Sequence, residues 1–204
     1  MTLIYFVLAF AISWGALLAI GGLGNMSGDT WQSDPRLPLM FVAMLAGPSI
    51  AGILMTALDG GRTGLRDTFS RLLRWRVGAY WYAIALLTAP MVFIVVNLTL
   101  SLLSPVLVPG IVTTSDTGPL LLVSIGGALV VGFFEELGWT GFATPRLRMR
   151  HSALATALIV GVPWGAWHLL TNDLWIAEKY SGDLSVPVFV TATGLSLLIG
   201  QLPA

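Results

Sequence analysis

Apolar residues run along this chain in long blocks, and polar residues collect in the short intervals between them. Six blocks qualify, or nearly qualify, as bilayer-spanning helices, each of which needs ~20 predominantly apolar residues. They cover 3–20, 39–58, 80–103, 120–134 with a continuation, 153–170 and 186–202. The intervals carry turn-forming clusters: Ser27-Gly28-Asp29, Asp59-Gly60-Gly61, Val108-Pro109-Gly110 and Ser181-Gly182-Asp183. The pattern predicts an all-α, polytopic membrane protein of about six transmembrane helices. For the first block the alternative is a cleaved signal peptide, but no basic segment precedes it and its apolar part is too long. Between the second and third blocks, residues 64–77 place Leu65, Phe69, Leu72 and Leu73 on one face and Arg66, Ser70, Arg71 and Arg74 on the other. That predicts a short amphipathic helix lying in the interface against anionic headgroups.

Composition supports the same class. Charged residues make up 10% of the chain and apolar residues 56%, where a soluble domain carries ~25% charged residues. The ten Lys and Arg balance the ten Asp and Glu, so no nucleic acid or other polyanion is implied as a partner. Membrane lipid is the partner that the composition implies, and no feature of the sequence sets an oligomeric state. The absence of cysteine excludes disulfides, thiolate catalysis and Cys-ligated zinc. The cations are unevenly placed: eight of the ten fall in the loops 59–78 and 145–151, on one side of a six-span topology. By the positive-inside rule that side is cytoplasmic, and so is the amino terminus. The expected location is the cell membrane.

Ionisable groups at membrane depth cost at least ~2.5–3.5 kcal/mol each and usually face a cavity or a partner. Three residues meet that description: Glu135, Glu136 and His168. The glutamates follow the apolar run 120–134 without a break. Adjacent helical residues point ~100° apart, so Glu135 groups with Trp139 and Glu136 with Thr140. Two adjacent anions in a low dielectric disfavour joint ionisation, so at least one needs a hydrogen-bonded partner. The plainer alternative is a helix end at the interface with both glutamates solvated; against it, Leu137, Trp139 and Phe142 continue the apolar pattern.

His168 closes Pro163-Trp164-Gly165-Ala166-Trp167-His168. With Gly161 and Gly165 it forms one helical stripe, whose small residues admit a neighbouring backbone. The bland alternative is a histidine bonded to a backbone carbonyl. The fourth and fifth spans are antiparallel neighbours, and the midpoint between Glu135 and His168 falls in their connecting loop, so the two groups reach similar depths. A carboxylate facing an imidazole can activate water or bind a metal that does so. Proton or ion transport would use the same residues. His151, beside Arg150, reads as solvated.

The run Phe134-Glu135-Glu136-Leu137-Gly138-Trp139-Thr140-Gly141-Phe142, followed by Pro145-Arg146-Leu147, resembles the first motif of the CPBP family of intramembrane proteases, Glu-Glu-x-x-x-Arg-Gly. These are the CAAX-prenyl-endopeptidase-like and bacteriocin-processing proteins. Trp164-Gly165-Ala166-Trp167-His168 resembles the second motif, an aromatic residue four before a histidine. The Ala46-Gly47-Pro48-Ser49 turn within span two and the Arg-rich interfacial helix are similar to bacterial members. The resemblance implies that Glu135, Glu136 and His168 are catalytic, Glu135 and His168 polarising the hydrolytic water and Glu136 being the second carboxylate, with Trp139, Thr140 and Trp164 lining the site. It leaves open whether a divalent metal such as zinc, held by Glu135 and His168, takes part. The implied substrate is a membrane-associated or prenylated-type peptide.

Two departures from the motif pattern stand out. Thr140 occupies the position of the motif arginine, and Arg146, nearly three turns on, would have to fold back to replace it. A third motif, His-x-x-x-Asn or similar, is expected on a later span, yet the sequence closes at Gln201-Leu202-Pro203-Ala204 with no second intramembrane histidine. The His168/Asn172 spacing is treated as coincidence, and the ending inside an apolar block reads as a truncation. The expected organisation is an N-terminal transmembrane half, 1–117, and an incomplete protease core, 118–204. The competing functions are a non-catalytic immunity or regulatory binding protein on the same fold and a small transporter. A transporter would show inverted repeats or paired broken helices, and none is visible.

Overall fold

The computed structural model describes residues 1–21, 34–102 and 115–168. Its elements are α1 (Thr2–Gly21), α2 (Leu37–Leu72), α3 (Ala79–Ser101), α4 (Thr117–Gly138), a π-helical turn (Trp139–Ala143), α5 (Thr144–Arg148) and α6 (Ala153–His168). The described residues contain no strand, and the protein is an all-α integral membrane protein. Four helical stretches, beginning at Thr2, Leu37, Ala79 and Thr117, are long and apolar enough to cross a membrane, and α6 is a shorter apolar helix. The predicted sixth span, 186–202, lies outside the described residues, as do the turn clusters at 27–29, 108–110 and 181–183, Asn172 and Lys179.

The core forms where α1, α2, the end of α4 and α6 meet. Helix α1 buries Tyr5, Ala9, Ser13, Leu17 and Gly21, a strict four-residue stripe facing α2. The Ala46-Gly47-Pro48-Ser49 segment, expected as a turn, is helical instead, with Pro48 inside α2. Proline has no N–H, so the Met44 carbonyl four residues earlier loses its intrahelical partner. The Ser13 hydroxyl donates to that carbonyl at 2.5 Å, which satisfies the orphan and ties α1 to the proline turn. A Cβ on Gly47 would run into Ser13 and the Ala9 carbonyl, so glycine is what lets the helices close here.

Two further boundaries differ from expectation. The Asp59-Gly60-Gly61 cluster does not break the chain into separate elements. It kinks one helix, with Gly61 at φ 56° and ψ −146°, a conformation that a Cβ would strain. The interfacial helix beyond the kink ends at Leu72 rather than Val77. Past it the backbone makes tight turns, with Arg74 N–H on the Arg71 carbonyl and Trp75 N–H on the Leu73 carbonyl. The Tyr82 hydroxyl of α3 donates to the Trp75 carbonyl, a bond that replaces helical pairing and turns the chain into α3. The described side chains of α3 are exposed or half-buried, an apolar surface suited to lipid.

Candidate functional site

Helix α4 does not stop at the glutamates. It runs through the π turn and α5 to Arg148, so roughly 18 Å of helix separates Glu136 from that residue at ~1.5 Å per residue. Glu135 is 5% exposed, which removes the alternative of a solvated helix end. The π turn has a local cause: both the N–H and the hydroxyl of Thr144 bond the Trp139 carbonyl five residues back, widening the ring by one residue. Ahead of the pair, the Ser49 hydroxyl donates to the Phe134 carbonyl at 2.6 Å. Gly52 of α2 lies against Gly138 of α4, where an added Cβ would sit 2.7 Å from the Gly138 Cα and 2.8 Å from the Leu137 oxygen. This backbone contact fixes the depth at which the glutamates sit.

Helix α6 supplies the other half. The Trp164 indole N–H donates to Glu135 Oε2 at 2.8 Å, and the Trp164 ring stacks on Trp139, with centroids 5.6 Å apart and planes 16° apart. One carboxylate oxygen is thereby fixed and the other, Oε1, faces His168 Nε2 at 4.0 Å. His168 Nδ1 lies 2.9 Å from the Trp164 carbonyl. A carbonyl only accepts, so Nδ1 carries a proton, and in the neutral ring Nε2 is the nitrogen with the lone pair facing Glu135. The bland alternative for His168, a bond to a backbone carbonyl, is therefore also real, and it serves to orient the ring. The Trp14 indole N–H of α1 donates to the Trp167 carbonyl at 3.0 Å, anchoring this end of α6.

Glu136 turns to a different partner. The Thr140 hydroxyl donates to its carboxylate, one helical turn on. Arg146 does not fold back: its guanidinium is bound to Asp59 at 2.6 Å. His151 is exposed. The structure thus brings Glu135, His168 and Trp164 together around Trp139, and leaves Glu136 on the adjoining face with Thr140.

A catalytic zinc ion takes three protein ligands. Glu135 Oε1 and His168 Nε2 are two donors of the right kind, and no group of three His, Asp or Glu side chains gathers among the described residues. Among the described residues, Glu135 and His168 therefore supply two of the three ligands that such an ion takes.

Residues 117–202 match the sequence profile of the type II CAAX prenyl endopeptidase Rce1-like family, a range that holds the Glu-Glu pair, the π turn and His168. Over that range the chain is similar to the CPBP family of membrane proteases. It is also similar to CAAX prenyl protease 2 of Methanococcus maripaludis, with 24% identity over 196 residues covering 89% of this chain and 67% of that protein. Both similarities support a membrane-bound peptidase.

Trp14 and Tyr5 went unnoticed in the sequence, and Ser49 was named only as the end of the 46–49 segment. Tyr5 and Ser13 share the four-residue stripe of α1, a signal that could have marked them. Ser49 carried none beyond standing next to a proline.

Proposed function

We propose that the chain is an intramembrane endopeptidase of the CAAX-protease type that cleaves a membrane-associated or prenylated-type peptide. The observation that carries this reading is the 4.0 Å approach of Glu135 Oε1 to His168 Nε2, inside an apolar bundle and with the second carboxylate oxygen held by Trp164. One water between these atoms donates one hydrogen bond to each. As the water oxygen bonds to the scissile carbonyl carbon, its proton passes to Glu135 Oε1. The same proton then goes to the leaving nitrogen as the C–N bond breaks, giving a carboxylic acid, which keeps the water's second hydrogen, and an amine. By accepting a hydrogen bond from the water's second hydrogen, Nε2 of His168 aims a lone pair of the water oxygen at the carbonyl carbon. Trp139, Thr140 and Trp164 line the site, and Glu136 is the second carboxylate beside it.

The substrate class follows from the family and from the name of the archaeal relative. The protein sits in the cell membrane with the amino terminus in the cytoplasm, as the arginine distribution favours. Residues 118–204 contribute the protease core, and 1–117 the helices that brace it. In the full-length protein, Glu135→Ala and His168→Ala should each lower cleavage of a lipidated peptide by about 10²–10⁴-fold while membrane insertion stays intact. Undiminished cleavage by both variants would overturn the peptidase reading and leave a binding protein on the same fold.

A further inference from the structure

Roughly 16 Å along the helix from Glu135, at ~1.5 Å per residue, the arginine-rich end of the bundle holds a half-open cleft of about 290 Å³. That volume lies at the lower end of small-molecule pockets, ~300–1,000 Å³. Its walls include Asp59 at the α2 kink, Arg146, Arg150 and His151 from the far end of α5, and Thr2 and Met149. Arg146 directs Nε and Nη2 at Asp59 and Nη1 at the Phe142 carbonyl. Among the described residues, two of the five guanidinium N–H donors therefore remain. Arg150 and His151 are exposed, and neither side chain has a hydrogen-bond or ion-pair partner among the described residues. The Asp59 and Arg146 charges cancel, so Arg150 leaves the cleft cationic.

Depth narrows the choice of anion. Thr2 is the first residue of α1, whose 20 residues match the ~30 Å thickness of the hydrocarbon layer. The cleft therefore opens at the level of the lipid headgroups, and the exposed Met149 adds an apolar wall. Basic pockets between helices at that level suit acidic headgroups. We propose that this cleft binds the phosphate of an acidic phospholipid, with Arg150 and the remaining donors of Arg146 on its oxygens. Guanidinium groups hold phosphate by paired, charge-assisted hydrogen bonds. A lipid held there ties the start of α1 to the α2 kink and the end of α5. The site is separate from Glu135 and His168, and it does not rest on the peptidase reading.

The test is retention of phosphatidylglycerol by the full-length protein in detergent, read by native mass spectrometry and by melting temperature. Phosphatidylcholine and inorganic phosphate are the comparison arms. Phosphatidylglycerol should stay on as a single bound lipid and raise the melting temperature, and neither comparison arm should match it. Arg150→Gln should weaken retention about tenfold or more, the worth of one charge-assisted hydrogen bond. Arg148→Gln removes the same charge outside the cleft, and should weaken it about fivefold at most, the share of one cation in a diffuse attraction. Equal losses in the two variants would make the attraction diffuse and overturn the proposal. Arg150 also stands just past α5, where a cation offsets the helix dipole. A lower melting temperature of Arg150→Gln in phosphatidylcholine, with phosphatidylglycerol retention unchanged, would leave it that role alone and overturn the proposal. An equal melting shift from inorganic phosphate would assign the cleft to the free anion and overturn the lipid assignment.

Discussion

Arg146 is bound to Asp59, its Nη2 2.6 Å from the carboxylate, and its guanidinium lies 3.9 Å from the centre of the Phe142 ring. The residue that sequence spacing offered as a replacement cation for Glu136 is thus committed elsewhere. It fastens the kink of α2 to the end of the long α4–α5 helix.

The first prediction concerns that fastening. The Arg146 side chain is 18% exposed and that of Asp59 40%, so the pair is only partly shielded from water. Arg146→Ala should cost about 1–2 kcal/mol, a surface-type ion pair plus a cation–π contact. Asp59→Ala should cost less, because it leaves the ring contact. Thermal unfolding in detergent would measure both, and kcat should hold in the two variants. A collapse of kcat with unchanged stability would mean that Arg146 reaches the site after all.

The same contact bears on topology. Asp59 and Arg146 touch, so the two arginine-rich segments lie at one end of the bundle. Cysteines placed at Gly61 and Ser152 should be labelled from the same side, and the positive-inside rule predicts that this side is the cytoplasm. Labelling from opposite sides would contradict both the ion pair and the six-span arrangement.

Much of the site was legible because its determinants are local. An uninterrupted apolar run before Glu135, a short loop, and a second apolar run ending at His168 are enough to bring a carboxylate and an imidazole to one depth. What was not legible depends on partners distant in sequence. The Pro48 segment read as a turn by its resemblance to family members, and nothing local shows that Ser13 of another helix answers the carbonyl that proline frees. The interfacial helix was placed five residues too long because periodicity continues to Val77, while a tyrosine on α3 takes up the Trp75 carbonyl. Likewise, helical spacing paired Glu135 with Trp139. The structure gives it Trp164 as donor, with Trp139 serving as the ring on which Trp164 stacks.

At the crossing of α2 and α4, the third prediction is steric. A methyl on Gly52 would meet the Gly138 Cα and the Leu137 carbonyl, both backbone atoms that cannot rotate away. Gly52→Ala should destabilise the protein by about 1–3 kcal/mol, the usual cost of overpacking. Because the crossing sets the depth of Glu135, kcat should fall in proportion more than stability does. A variant as stable and active as the parent would show that the helices are not in backbone contact.

The fourth prediction is a pH dependence at the rim. Hydrogen bonds from Arg36 hold the Asp34 carboxyl well below the usual carboxylate range, at about 2. Arg36 Nη1 also donates to the Ile20 carbonyl at 3.4 Å, joining the end of α1 to the start of α2. A carboxyl depressed on folding stabilises the protein above its unfolded pKa, ~3.9, and that contribution is lost as pH falls toward 2. The junction should therefore hold at neutral pH and loosen between roughly pH 4 and pH 2. Asp34→Asn should abolish that acid step in hydrogen exchange at 34–37; an unchanged acid step would place its origin elsewhere.

The last prediction separates the two roles of Trp164. Its indole N–H holds one oxygen of Glu135 at 2.8 Å, and its ring stacks on Trp139. Trp164→Phe removes the donor and keeps most of the stack, so folded yield should survive. Glu135 would lose the bond that points its free oxygen at His168, and the loss of one hydrogen bond to a charged group is worth ~1.5–3 kcal/mol. A fall of about 10- to 150-fold in kcat is expected at each 1.4 kcal/mol per decade, with KM little changed if the bond acts on the proposed base and not on the substrate. Trp164→Leu removes donor and stack together and should lower folded yield as well. If Trp164→Phe cleaves at the parental rate, Glu135 does not depend on that donor for its aim, and the orientation of the carboxylate must come from His168 itself.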